Sequence, residues 1–245
     1  MQEIIRSKDN QKIKTLRKLK QKKFRVKTGQ FLIEGQHLID EALSCHQTIE
    51  TVIIAENYTG KTTYPSQTIT VSDAVMETLS SLETPPGIMA VIQYVPKESK
   101  NERVLMLENI QDPGNMGTLI RSAAAFSFDT IYVSENSVDV FSDKVLRSTQ
   151  GALFHVNVET ANLLDMVKSF EGRVYVTALQ DATSIDSVKT NEDSVAVVLG
   201  NEGSGVSDDL LSFVENRLKI DMAPNIESLN VAIAGSIIMH HFKRE

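Results

Sequence analysis

Residues Val195–Leu199 read VAVVL, five apolar positions with no polar residue between them. A strand with one face in water alternates apolar and polar side chains. A strand with none must be covered on both faces, the condition of a central strand in a parallel sheet flanked by helices. Gly200-Asn201-Glu202-Gly203-Ser204-Gly205 follows at once, within the segment LGNEGSGVS. Two further segments make the same handover from strand to helix: Asn109–Phe126 (NIQDPGNMGTLIRSAAAF) and Ile220–Ala234 (IDMAPNIESLNVAIA). In open α/β sheets this carboxyl edge is where ligands sit. Each segment carries polar side chains able to act there: Asn115 and Arg121, then Glu202, then Ser228 and Asn230.

The surrounding pattern agrees. After Val104–Leu107 the chain predicts a helix near Gly117–Phe126, strand Thr130–Val133, a helix near Ser142–Ser148, strand His155–Val158, helix Ala161–Phe170 and strand Arg173–Ala178. A helix after Ser207, strand Arg217–Ile220 and a final helix Ser228–Phe242 complete a doubly wound α/β domain over residues 104–245. Residues 1–95 predict a smaller α/β unit. It has a basic helix over Asp9–Lys22 with Ile13, Leu16 and Leu19 inward, a helix after Gly35, strands at Thr51–Ala55 and Thr68–Val71, a helix capped by Ser72, and strand Ile88–Val95. Pro96–Arg103 (PKESKNER) reads as the linker, residues 96–103.

The net charge of −7 conceals an asymmetry. Residues 1–30 hold 11 of the 25 Lys and Arg against Glu3 and Asp9, so that segment carries +9 and the remainder −16. A basic arm on an acidic body points to a polyanion, with Lys12, Lys14, Arg17, Lys18, Lys22, Lys23 and Arg25 as candidate nucleic-acid contacts. One cysteine, Cys45, rules out an internal disulfide and fits a reducing cytoplasm. The five histidines show no zinc-like pairing with cysteine, so no metal is expected. No apolar run suits a membrane span, and the charged N-terminus does not suit a signal peptide.

The three segments suggest chemistry in outline. Asp112–Gly117 predicts a turn leading into a helix whose exposed N–H groups favour an anion. Arg121, one turn beyond Gly117, can meet a phosphate or a developing oxyanion. The second segment reads G-x-x-G-x-G, not the G-x-G-x-x-G of dinucleotide loops, and the Glu202 carboxylate would repel a pyrophosphate. Ser228 suits an N-cap, while Asn230, a poor helix former, suits a substrate contact.

Taken together, the segments resemble motifs 1, 2 and 3 of the SpoU/TrmH family of RNA ribose 2′-O-methyltransferases, in the SPOUT superfamily. The matching residues are Asn109, Pro113, Asn115, Gly117, Arg121 and Ala125-Phe126, then Gly200, Glu202, Gly205 and Ser207, then Ser228-Leu229-Asn230-Val231. Phe31-Leu32-Ile33-Glu34-Gly35 and Pro86-Gly87-Ile88-Met89-Ala90 resemble the family's substrate-binding domain. Ile220-Asp221-Met222 departs from the usual Ile-Pro-Met, and Pro224 stands where glycine is common.

The resemblance implies an α/β protein: a C-terminal SPOUT domain with a deep trefoil knot, preceded by a small ribosomal-protein-like α/β domain that binds RNA. It implies S-adenosylmethionine as cofactor, held at Leu199, Gly200, Gly205, Ile220, Met222, Ser228 and Leu229. It further implies a homodimer, and a site in which Arg121 serves the 2′-hydroxyl with Asn115, Glu202, Ser228 and Asn230 around it. Ribosomal RNA is the expected substrate rather than transfer RNA. Two alternatives remain open at this level: a non-catalytic RNA-binding or ribosome-assembly protein on the same fold, and a nucleotide-dependent oxidoreductase.

Overall fold

The computed structural model describes residues 4–96, 102–190 and 192–244, so most of the expected linker lies outside the described residues. In chain order the first elements are β1 (Ile4–Ile5), α1 (Gln11–Lys18), α2 (Lys22–Thr28), β2 (Gln30–Glu34), α3 (Gln36–Ser44), β3 (Thr48–Ala55), β4 (Gln67–Val71), α4 (Asp73–Leu79) and β5 (Ile88–Gln93). They are followed by β6 (Arg103–Leu107), α5 (Pro113–Ala125), β7 (Thr130–Val133), α6 (Asp143–Thr149), β8 (Asn157–Thr160), α7 (Leu163–Ser169) and β9 (Arg173–Thr177). The last are β10 (Thr183–Ser184), β11 (Val195–Leu199), α8 (Asp208–Phe213), β12 (Asn216–Lys219) and α9 (Val231–His241). No helix among the described residues is long and apolar enough to cross a membrane.

The chain divides into two compact units, residues 1–95 with 139–154, and residues 96–138 with 155–245. In the first, a five-stranded mixed sheet runs in the order β1-β4-β3-β5-β2. Ile13 and Leu19 from the N-terminal segment join Val75, Met76 and Leu79 of α4 over Ile53, Ile69 and Met89. The basic helix expected from Asp9, with Gly29 as its end, is broken in two: α1 ends at Lys18, and α2 starts at Lys22 and ends at the Gly29 cap. Burying Leu19 ends the first, and Arg25 Nη1 donates to the Leu19 carbonyl at 2.7 Å, satisfying one of the acceptors a helix end leaves free.

The helix near Ser142–Ser148, which the sequence places with the second domain, packs in the first unit as α6. Phe141, just before it, stacks on Phe31 with centroids 4.9 Å apart, and Asp139 pairs with Arg25. A buried ring and a largely buried ion pair outweigh proximity in sequence.

The second unit holds a seven-stranded sheet ordered β10-β12-β9-β11-β6-β7-β8, parallel at every pairing. All five residues of β11 are buried between β6 and β9, as its composition requires. From β6 the chain winds outward through β7 to β8 and then returns to the other side. The loops after β6 and β11 therefore diverge over adjacent strands, the topological switch where an open parallel sheet leaves a crevice.

Candidate active site

The first loop is less of a turn than its composition suggests. Asp112 is the N-cap of α5, its Oδ1 accepting from Asn115 N at 2.8 Å, and Pro113 takes the first helical position. Proline has no N–H to lose there, so Asp-Pro starts a helix readily. Gly114, Asn115 and Gly117, read from sequence as turn residues, form the first turns of α5, so the helix begins one turn earlier than expected. Just upstream, Asn109 adopts φ +55°, a left-handed conformation that asparagine tolerates better than most residues.

Against this helix start lies the loop after β11. Asn201 and Gly205 exchange two backbone hydrogen bonds at 2.9 and 3.0 Å, closing a tight turn. A Cβ on Gly200 would lie 2.1–2.3 Å from the backbone of Gly205 and Val206. From sequence these glycines suit the close approach of a ligand; at Gly200 the close approach is to the loop's own backbone. Asn201 Oδ1 accepts from Gly203 N and Ser204 N, and its Nδ2 donates to Asn109 O at 2.8 Å. Asn201 is thus a tie between the first and second loops that sequence reasoning missed, although asparagine two residues before glycine signals such a turn. Glu108, whose Oε2 accepts from Ser207 N at 2.8 Å, was also missed and has no local signal.

The turn aims Glu202 at α5. Its Oε1 accepts from Asn115 Nδ2 and Asp112 N, both at 3.1 Å, and its Oε2 accepts from Gln111 N at 3.2 Å. Burial pushes the Glu202 pKa up. The bonds from Asn115 and from backbone N–H groups of Glu202 itself, Asp112 and Gln111 outweigh it, leaving the pKa below the ordinary carboxylate value. Glu202 is therefore a fixed anion and a weak base.

The third loop brings in Asn230. The expected cap, Ser228, is exposed and precedes the helix; Asn230 caps α9, its Oδ1 accepting from Ala232 N at 2.9 Å and Ile233 N at 3.3 Å. Asparagine competes well with serine for this position. The free end of the same amide donates Nδ2 to Asn115 Oδ1 at 2.9 Å. Glu202, Asn115 and Asn230, from three loops, thus form one continuous hydrogen-bonded row, and Asn115 is held at both ends. Behind them α9 packs on α5 and β11 so closely that a Cβ on Gly235 would lie 2.5–2.6 Å from Leu119 and Leu199.

The other site residues stand apart from this row. Arg121 lies six residues beyond Asn115, about 9 Å along the helix axis and on another face. It is exposed, and among the described residues it forms no ion pair or side-chain hydrogen bond. Leu199 and Gly200 are buried, Gly205 is exposed with φ +72°, and Ile220, Met222 and Leu229 are half-buried beside the carboxyl edge. The departing Asp221 pairs with Lys219 at 3.7 Å. Clefts of about 670 and 630 Å³ open at the opposite, amino-terminal edge of the sheet; the second is lined by three cations and three carboxylates. That balance favours no charged ligand.

Among the candidate RNA contacts, Lys12, Lys14, Arg17, Lys18, Lys22 and Lys23 are exposed. Arg25 is not available: its guanidinium is committed to Asp139 and the Leu19 carbonyl, with a side chain 10% exposed. Burial has made it a structural cation.

A model of the SpoU rRNA Methylase family matches residues 102–240, and one of the MRM3-like substrate binding domain matches residues 10–90. The chain is 37% identical to the 23S rRNA (guanosine(2553)-2′-O)-methyltransferase RlmP of Bacillus subtilis, covering 98% of each chain. Among solved structures, it resembles an AdoMet-bound rRNA methyltransferase from Sinorhizobium meliloti (TM-score 0.85, 25% identity, 98% and 96% of the two chains). A putative TrmH-family RNA methyltransferase from Porphyromonas gingivalis is similar (TM-score 0.84, 28% identity, 96% and 98%).

Proposed function

Because this chain belongs to the SpoU rRNA methylase family, we propose that it methylates a ribose 2′-hydroxyl of RNA, ribosomal rather than transfer RNA, using S-adenosylmethionine. The observation that carries the reading is the Glu202–Asn115–Asn230 row, because all three motif loops contribute to it at the crevice of a parallel sheet. The activity printed for the Bacillus subtilis relative and the AdoMet-bound state of the Sinorhizobium meliloti structure favour an enzyme over a non-catalytic scaffold on this fold.

The residues at the carboxyl edge suit the cofactor. Leu179, after β9, and Ile226, in the loop after the neighbouring β12, are 68% and 52% exposed, and half-buried Met222 lies between them in chain order. Large apolar side chains left in water beyond the carboxyl ends of these strands offer a surface that a purine can cover. When bound, S-adenosylmethionine supplies an electrophilic sulfonium methyl group. Leu199, Gly200, Gly205, Ile220, Met222, Ser228 and Leu229 would hold it through their backbone and apolar surface.

The side chains divide the remaining work. Asn115, fixed by Glu202 and Asn230, positions the reacting groups, which can be worth several kcal/mol of the barrier. Arg121 stands on another face of α5 from the row, but its exposed side chain is uncommitted to any carboxylate among the described residues. Its role is to reach the ribose oxygen from outside the row and stabilise the charge developing there. A guanidinium has no site for a further proton, so the proton displaced from the 2′-hydroxyl would pass to water as the O–C bond forms and the S–C bond breaks, leaving S-adenosylhomocysteine. Glu202 orients the row, since its lowered pKa makes it a poor proton acceptor at neutral pH.

The reading extends to the rest of the chain. Residues 1–95 serve as the RNA-binding domain and residues 104–245 as the methyltransferase domain, supported by the extents of the two matched families. The C-terminal segments form a trefoil knot, and the protein works in the cytoplasm as a homodimer without a metal. Ile233 and Ile237, one turn apart on α9 and 53% and 41% exposed, support a dimer face. The experiment is Arg121→Ala: kcat falls more than a hundredfold while the dissociation constant for S-adenosylmethionine stays within twofold. Lost cofactor binding with residual turnover would overturn the assigned role.

A further inference from the structure

Eleven cations in the first 30 residues say that something anionic is met there; the structure selects which of them can meet it together. Gln11, Lys14, Lys18 and Gln21 follow one another at three- and four-residue spacing, so they form one stripe along α1 and its end, with Arg17 beside it. This stripe and the end of α4 at Thr78 wall an open groove of about 560 Å³. Its charged lining is Lys14, Arg17, Lys18 and Lys20, with no carboxylate.

The four cations are not equivalent. Lys20 Nζ donates to the carbonyls of Thr78 and Ser80 at 3.1 and 2.6 Å, tying the groove's floor to the C-terminus of α4. Lys14 pairs with Asp9 at 3.0 Å, but both are well exposed, and such pairs exchange partners at little cost. Arg17 and Lys18 form no ion pair among the described residues, and the Lys18 ammonium sits 5.6 Å from the Phe24 ring centroid. Lys12, Lys22 and Lys23 do not line the groove, and Arg25 is held by Asp139.

We propose that this groove is the track for the phosphodiester backbone of the RNA substrate, with Arg17 and Lys18 as its principal phosphate contacts. Lys14 lies three and four residues before Arg17 and Lys18, about 5–6 Å from each on a helix, a spacing that suits an anion repeated along a strand. The amides of Gln11 and Gln21 add donors for sugar and phosphate oxygens. The proposal rests on the reading of the chain as an RNA methyltransferase, and it narrows the basic segment to one surface.

The test compares two charge-matched variants of the full chain, R17Q/K18Q in the groove and K8Q/K27Q outside it. Binding is measured to a 20-nucleotide poly(U) and to 23S ribosomal RNA from a strain lacking this gene, between 50 and 300 mM salt. The groove variant is expected to bind both about tenfold more weakly at 150 mM, with a log–log salt slope smaller by about 1.5, and the other variant to stay within twofold of the parent. Unchanged S-adenosylmethionine affinity in both variants reports intact folding. Equal losses in the two variants, a groove variant that binds like the parent, or equal competition by polyglutamate would each overturn the proposal. A parent protein that binds RNA but transfers no methyl group would instead sink the catalytic reading, leaving the binding comparison valid.

Discussion

Asn230 Nδ2 donates to Asn115 Oδ1 at 2.9 Å, joining the cap of the last helix to the first turn of α5 across 115 residues of sequence. One amide does two things here: its oxygen caps α9 while its nitrogen holds the residue that Glu202 holds from the other side.

The two ends of that amide can be separated by substitution. Asn230→Ala should lose both, costing about 1 kcal/mol of cap energy and lowering Tm by about 2–4 °C, with methyl transfer reduced at least tenfold. Asn230→Asp keeps the acceptor for Ala232 and Ile233 but removes the donor to Asn115. Its Tm should match the parent while its kcat falls as far as the alanine variant's. Full activity in Asn230→Asp would show that the link to Asn115 has no part in turnover.

Glu202 should leave a signature in acid. Its folded pKa lies below the ordinary value, so its contribution to stability is complete above the unfolded pKa and is lost as pH falls through the folded one. The urea midpoint of the parent should exceed that of Glu202→Gln at pH 7, and the gap should close as the pH is lowered below the usual carboxylate range. A gap that widens in acid would contradict the hydrogen bonding described for this carboxylate.

Two of the three glycines of the second loop, Gly200 and Gly205, should differ in kind. Gly200→Ala places a methyl group 2.1–2.3 Å from backbone atoms of Gly205 and Val206, which cannot swing away as a side chain can. A loss of at least about 3 kcal/mol is expected. Gly205 has φ +72° and open space, clear to 4 Å, where a methyl group would stand, so Gly205→Ala should cost about 1–2 kcal/mol from backbone conformation alone. Denaturant unfolding of both variants checks the order; equal losses would count against it.

Arg103 is 5% exposed, and its guanidinium donates to the carbonyls of Phe242, Glu102, Asp193 and Glu192. Burial pushes its pKa down, yet it remains a guanidinium held by oxygen atoms. Arg103→Met fits the space and strands those carbonyls, for a loss of about 2–4 kcal/mol. Amide exchange at the end of α9 should rise in this variant; an unaltered exchange pattern would mean the clamp on Phe242 does not hold the helix.

Much of this was legible along the chain because its causes are local. VAVVL had to be a covered parallel strand, and Ser72 and Ser207 do precede α4 and α8. The motif loops carry glycine and asparagine where the backbone or the turn demands them. The shape of the site was less so. Ser228 and Asn230 are both good caps by residue type, and only the partner waiting at Asn115 makes the choice clear. Asp112-Pro113 reads equally as a turn or a helix start until α5 is seen continuing from it.

What the order of residues determined was the alternation of strands and helices, the parallel second sheet, the three loops at its carboxyl edge and the concentration of cations at one end. Those follow from periodicity, steric limits and charge, each acting within a few residues. Only the tertiary structure decided that Glu202, Asn115 and Asn230 meet while Arg121 stands apart, that α6 packs with the first unit, and that Arg25 is withdrawn from solvent by Asp139. Each of those depends on burial and hydrogen bonding between residues distant in sequence, and no local pattern encodes which distant partner a polar group will find.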